Sequence, residues 1–199
     1  IVVQQLLDAA EELTPWRAYC ADCPANLTGQ HFGCVGTINY PISIRAERWL
    51  LDQLPDHEHP LVFMLLQRAI REMGYTGESA VVLRQQKSIF LQSESPLDCD
   101  LNGVLVNGNQ VFEMLFMSGH VQPTHGALLL QFFGGISPDL DAGEMMQLAD
   151  PPSAAWMDEH IPFRLATSRA DDASVAALKS FFKALYSAYR LGVPLLLDV

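Results

Sequence analysis

The stretch that most constrains this chain is residues 14–42, which hold three of the four cysteines in the sequence. Four possible metal ligands follow the pattern C-x2-C-x7-H-x2-C, and they are Cys20, Cys23, His31 and Cys34. A two-residue gap lets two side chains bind one ion, and tetrahedral Zn²⁺ favours sulfur and imidazole donors. The pattern therefore predicts a structural zinc site in an N-terminal Cys/His loop.

The fourth cysteine, Cys99, leaves several alternatives open. It can replace His31 as the fourth zinc ligand, or complete an iron–sulfur cluster with the other three cysteines. Two disulfides, or free thiols that are buried or redox-active, also agree with the sequence. A thioredoxin-like role for Cys20 and Cys23 is disfavoured, because reactive thiolates of this kind lie at helix N-termini and this pair is predicted at a helix C-terminus.

Composition narrows the class of protein. A chain of 199 residues that is 49% hydrophobic is long and apolar enough for one packed domain. No apolar run reaches the roughly 18 residues of a membrane span, so we expect no membrane partner. A net charge of −11 disfavours nucleic acid as a partner. The few cysteines and the lack of a visible secretory signal predict a cytoplasmic protein.

Apolar residues at helical spacing predict most of the secondary structure. Ser43 and Asp172 stand where N-caps belong, and Gly74 and Gly192 where left-handed C-caps belong. The predicted helices cover residues 2–13, 15–22, 44–54, 60–73, 111–118, 125–133 and 173–190.

Strands are predicted where β-branched and aromatic residues cluster. Residues 35–42 and 103–106 read as single strands, 79–93 as one long strand or a hairpin, and 193–199 as a buried final strand. The expected fold is α+β, a small mixed or antiparallel sheet of about three to five strands with helices packed on it. We expect one domain over residues 1–199, with an irregular segment at 137–172.

The two helices within residues 111–133 are predicted to form a Met-rich hairpin. Consecutive apolar residues such as Met114, Leu115 and Phe116 cannot all face one core from one helix. Some of them are therefore expected to meet another element of the fold, a small apolar ligand or a second copy of the chain.

The sequence contains no phosphate-binding loop, no GxSxG and no HExxH motif, so we expect a protein that is not an enzyme. His120 and His125 near Glu113 are possible general bases, although turn and capping roles are the favoured interpretation, because no Ser or Cys nucleophile is placed beside them by the sequence. His57 and His59 are predicted in a solvated acidic loop. The function predicted is a non-catalytic small-ligand-binding or protein-interaction domain with structural zinc, and the alternative is a redox or iron–sulfur protein that uses the same cysteines.

Overall fold

The computed structural model describes residues 2–86 and 88–198. The chain divides into two compact units, Ile1–Gly36 and Thr37–Val199. The expectation of one domain over residues 1–199 stays a prediction. None of the helices in the described ranges has both the length and the apolar character that a membrane span requires.

The N-terminal unit contains two short helices and a loop. Helix α1 covers Val2–Glu12, as predicted, and a 3₁₀ helix covers Thr14–Cys20 with Pro15 in its first turn. The second helix is tighter and ends earlier than the predicted 15–22, because the chain turns directly after Cys20. Cys20 is therefore the last residue of the helix, and Cys23 lies beyond it, where its carbonyl accepts from Asn26 N at the start of a turn.

Helices form most of the C-terminal unit. Ser43 caps α2 through its Oγ, which accepts a hydrogen bond from the backbone of Ala46, and Asp172 caps α9 through Val175. Asn107 and Gln110 form a capping box at the start of α5. The helices of this unit that the structure describes are α2 (Ile44–Asp52), α3 (Pro60–Glu72), α4 (Glu78–Arg84), α5 (Gly108–Phe116), α6 (Pro123–Phe132), α7 (Ala142–Gln147), α8 (Ala154–His160) and α9 (Ala173–Leu191).

Strands are fewer and shorter than predicted. Strand β1 (Asp98–Leu101) pairs antiparallel with β2 (Val104–Asn107), and β3 (His120–Val121) pairs antiparallel with β4 (Leu195–Leu196). Mixed α+β content is thus present, but over residues 2–86 and 88–198 the strands form two separate two-stranded ladders, and a sheet of three to five strands is not confirmed. The two-residue turn Asn102-Gly103, both at positive φ, closes the β1–β2 hairpin.

Four strand and loop predictions are wrong in detail. Residues 35–42 run without strand pairing except for one isolated bridge between Ile42 and Leu91. Residues 79–93 begin as helix α4. The final apolar segment is not buried, since Leu196 in β4 is 77% exposed. The irregular segment 137–172 contains α7 and α8.

The core of the C-terminal unit forms around α9. This helix packs on α6 and α2, while α5 packs on α4 and α2. Gly126 allows the close approach of α6 to α9, because a Cβ there would lie 3.1 Å from Leu185 Cδ1. The rings of Phe133 and Phe182 lie 5.5 Å apart in the same core.

The Met-rich region 111–133 is packed inside the unit. Helix α5 is buried on nearly all sides, between α2 and α4, and of its large apolar residues and those of the turn after it only Met117 is exposed. Core burial therefore accounts for the consecutive apolar residues. The homodimer and the apolar ligand at this region stay predictions.

Candidate functional site

In the N-terminal unit, the Cys/His loop doubles back on itself. The backbone N–H of Phe32 donates to Cys20 Sγ at 3.2 Å, and Leu27 N donates to the Gly33 carbonyl at 3.1 Å. These contacts bring the segment between His31 and Cys34 against the first cysteine. An N–H···S hydrogen bond stabilises negative charge on sulfur, which is the form in which a thiol binds a metal.

Asn26 holds this loop in shape. Its Nδ2 donates to the carbonyls of Cys20 at 2.8 Å and Gln30 at 3.0 Å, and its Oδ1 accepts from Gly29 N at 3.0 Å. Gly33 packs so tightly on Asn26 that a Cβ at position 33 would overlap the amide. Asn26, Gly29 and Gly33 together therefore fix the path of the backbone in this loop.

The predicted ligands are near one another along this loop but are not gathered round a point. Cys20 and Cys23 are half-buried and Cys34 is exposed, as is His31. Within residues 2–86 and 88–198, no three His, Cys, Asp or Glu side chains are arranged to hold a metal ion. Zinc binding would therefore require the loop to draw its donors together.

All four cysteines are free thiols in this structure. Cys99 is half-buried in β1, in the C-terminal unit, where burial and the neighbouring Asp52 carboxylate raise the pKa of its thiol. A raised pKa leaves less thiolate at neutral pH, which makes Cys99 a weak nucleophile.

A cavity of about 240 Å³ opens between the ends of α2 and α6 in the C-terminal unit. Asp52, the last residue of α2, lines one side of the cavity. Gln131 and Gly134, in and just after α6, line the other side. Gly134 has φ of 69°, and a Cβ there would lie 3.0 Å from Gln53 Oε1. The lining residues are Asp52, Gln53, Leu54, Pro55, Asp56, Glu58, His59, Gln131, Gly134 and Pro138.

Gln131 is the most unusual residue of this lining. It is 1% exposed, on a helix whose other inward residues are apolar. Its Nε2 donates to Met145 Sδ at 3.0 Å, whereas its Oε1 is buried without a hydrogen-bond partner in the described parts of the chain. Because a thioether accepts but cannot donate, this amide orientation leaves the carbonyl oxygen as the unpaired atom.

His59 connects the cavity to two carboxylates. Its Nδ1 lies 3.8 Å from Asp56 Oδ1, and its Nε2 lies 3.2 Å from Asp139 Oδ1. The side chain of His59 is 27% exposed and lies in the cavity wall, while Glu58 beside it is exposed, as predicted for this loop. His57 is exposed and hydrogen-bonds to Asn102.

The histidines proposed as general bases have separate environments. His125 Nε2 lies 3.1 Å from the Tyr75 hydroxyl, and burial lowers the pKa of His125. Burial, and then the Glu113 carboxylate, raise the pKa of Tyr75. Glu113 itself accepts hydrogen bonds from the Gly77 backbone and the Ser79 hydroxyl, both at the start of α4. These contacts give Glu113 a structural role in positioning α4.

His120 is exposed at the start of β3 and takes no part in this cluster.

A second cavity, of about 350 Å³, lies between residues 163–167 and α9 and is basic. Its Lys179 is already paired with Asp171 and with the Ala166 carbonyl, at 2.9 Å each. The acidic cavity, whose lining residue Gln131 has an amide oxygen without a partner among the described residues, is the stronger candidate for a ligand site.

The acidic cavity was not predictable from the sequence, because its lining residues come from segments that are far apart in the chain. The signal that was available is Gln131 inside the apolar run ALLLQFF. A polar residue in such a run needs a buried partner or a ligand.

Comparison of the chain with protein-family models, with curated proteins and with solved structures found no match.

Proposed function

We propose that this protein is a non-catalytic domain that binds a small ligand in the cavity between α2 and α6. The observation that carries the proposal is that Gln131 lines the cavity while its Oε1, a buried atom, has no hydrogen-bond partner among the described residues. Leaving a buried carbonyl without a hydrogen bond costs roughly 1–3 kcal/mol. A ligand that donates a hydrogen bond to this oxygen would offset that cost, which gives the residue a reason to be polar.

We also propose that Cys20, Cys23, His31 and Cys34 hold a structural zinc ion in the N-terminal unit, with Cys99 as the alternative to His31. The donor set is chemically suited to zinc, because it offers three thiols and one imidazole. Further support comes from the Phe32 N–H···Sγ contact to Cys20, which already brings the two halves of the pattern to one loop. In this proposal zinc is bound when the side chains of a preformed loop move together.

The ligand proposal is tested by screening small polar compounds against isotope-labelled protein by NMR. We expect a subset to shift the amide signals of Asp52–His59 and Gly134, the backbone that surrounds the cavity. The same compounds should have no effect on a Gln131→Met variant. A screen in which no compound shifts the signals of the cavity residues would contradict the proposal.

The zinc proposal is tested by chelation followed by amide hydrogen exchange. Loss of zinc should increase exchange across residues 14–36 and leave the C-terminal unit, Thr37–Val199, unchanged. Equal exchange before and after chelation would contradict a structural role. Visible absorbance with bound iron would favour the iron–sulfur alternative.

A further inference from the structure

We infer that the ligand of the cavity between α2 and α6 is a small organic cation, a primary amine. This inference rests on the proposed function, since it names the chemical class of the ligand that the same cavity binds. Three properties of the described lining support it: its charge, its hydrogen-bonding capacity and its lack of metal-binding geometry.

The charge of the lining is negative. Asp52, Asp56 and Glu58 each contribute a carboxylate, and Asp139 adds a fourth at the edge through its contact with His59. Among the described lining residues there is no lysine or arginine, and His59 is the one group that can carry a positive charge. Such an arrangement attracts cations and repels anions.

The hydrogen-bonding capacity of the lining points the same way. When ionised, the carboxylates accept hydrogen bonds and cannot donate them. The unpaired oxygen of Gln131 is also an acceptor. An ammonium group has three N–H donors and no acceptor, so it matches a site with an excess of acceptors. A neutral alcohol supplies one donor and no charge, and an ionised carboxylate supplies no donor and carries a negative charge.

A bare metal ion is the less suitable cation for this site. The carboxylates around the cavity do not converge, and within the described residues no three ligating side chains form a group that could hold a metal. An organic amine does not need converging ligands, because its N–H groups and carbon chain spread over the wall. Leu54 and Pro55 offer apolar surface for the chain of such a ligand.

The test is a calorimetric titration with three compounds of matched length: diaminobutane, butanediol and succinate. We expect diaminobutane to bind and to bind more weakly as the ionic strength rises, with butanediol and succinate at least tenfold weaker. Asp52→Asn should weaken the diamine about fivefold, which corresponds to one partly exposed ion pair. Glu159→Gln removes an exposed carboxylate outside the lining and should have no effect.

A lysine blocked at both ends distinguishes two sources of the amine. Tighter binding of diaminobutane identifies a free small amine, whereas equal or tighter binding of the blocked lysine identifies a protein side chain, and both results support the cation. If butanediol or succinate binds as tightly as the diamine, the inference that the ligand is a cation is overturned, whereas the proposed ligand site is not contradicted. Failure of all three to bind would also overturn it, while the wider NMR screen still tests the proposed function by itself.

Discussion

Ser43 and Asp172, the N-cap residues of α2 and α9, are hydrogen-bonded to each other. Ser43 Oγ donates to Asp172 Oδ2 at 2.7 Å and accepts from Ala46 N at 3.0 Å, while Asp172 Oδ1 accepts from Val175 N at 2.8 Å. The two helix starts are thus joined by one hydroxyl and one carboxylate, 129 residues apart in the chain. This contact fixes the relative position of two helices that pack in the core.

Replacing Ser43 with alanine should destabilise the protein by about 1–2 kcal/mol, because it removes the cap of α2 and a hydrogen bond to the cap of α9. Urea unfolding followed by circular dichroism measures the change. Ser180→Ala is the control, since that hydroxyl bonds only the Ala176 carbonyl of its own helix, and it should change stability by less than about 0.5 kcal/mol. Equal effects of the two substitutions would contradict the role of the joined caps.

The same pair makes stability depend on pH. Burial opposes ionisation of Asp172, but hydrogen bonds from Ser43 and the Val175 backbone outweigh it and lower the pKa of the carboxyl. The stabilisation is therefore present above the unfolded aspartate pKa of about 3.9 and is lost as pH falls through the lower pKa of the folded protein. Asp172→Asn keeps a capping oxygen and removes the charge, so its unfolding free energy should fall less steeply over this acid range. An unchanged pH profile would contradict the prediction.

Glu47 and Arg84 form an ion pair whose side chains are each 3% exposed. Arg84 also donates to the Ser93 carbonyl at 2.9 Å, and Glu47 accepts from Leu97 N at 3.0 Å, so the pair anchors the loop before β1. Arg84→Met leaves a buried carboxylate unpaired and should cost about 3–5 kcal/mol in urea unfolding.

Two further variants test this assignment. Glu47→Gln combined with Arg84→Met should recover part of the loss, because no buried charge remains. Arg68→Met breaks an exposed pair with Glu72, whose side chains are more than 60% exposed, and should cost less than about 1 kcal/mol. A similar loss for the Arg84 and Arg68 variants would show that burial of the Glu47 pair has no energetic consequence.

Gln131→Met should stabilise the unliganded protein by roughly 1 kcal/mol, because it removes a buried carbonyl that has no partner. The same substitution should abolish ligand binding in the cavity. Thermal unfolding measures the first effect, and Gln147→Met, at an exposed position at the end of α7, is the control. Destabilisation by Gln131→Met would mean that the amide is satisfied in the unliganded protein, which contradicts its proposed role.

The helices were predictable because capping and periodicity are local properties. Ser43, Asp172 and Gly192 stand at the positions that their side chains or backbone freedom favour, and the structure places helix ends at each. The strands were not predictable to the same degree. The adjacent β-branched residues Val81 and Val82 favour a strand, yet α4 forms there because it packs on α5 and its Arg84 pairs with Glu47.

The candidate site residues likewise were predictable only where they are close together in the sequence. Cys20, Cys23, His31 and Cys34 were found from spacing, since they lie within fifteen residues of sequence. The cavity was not found, because Asp52 and Gln131 meet only through the packing of α2 and α6 around α9. The burial of Glu47 was likewise not predictable, because its partner Arg84 lies 37 positions away in the sequence.

The most direct test of the central claim, a structural zinc in the N-terminal unit, is elemental analysis of protein purified without a histidine tag. We predict about one zinc per chain in the wild type, loss of zinc in Cys20→Ser, and retention in Cys99→Ser, because His31 is the fourth ligand in the main proposal. Loss of zinc in Cys99→Ser together with its retention in His31→Gln would show that the fourth zinc ligand is Cys99 and not His31. Wild-type protein without zinc, even when prepared with zinc present, would contradict the claim.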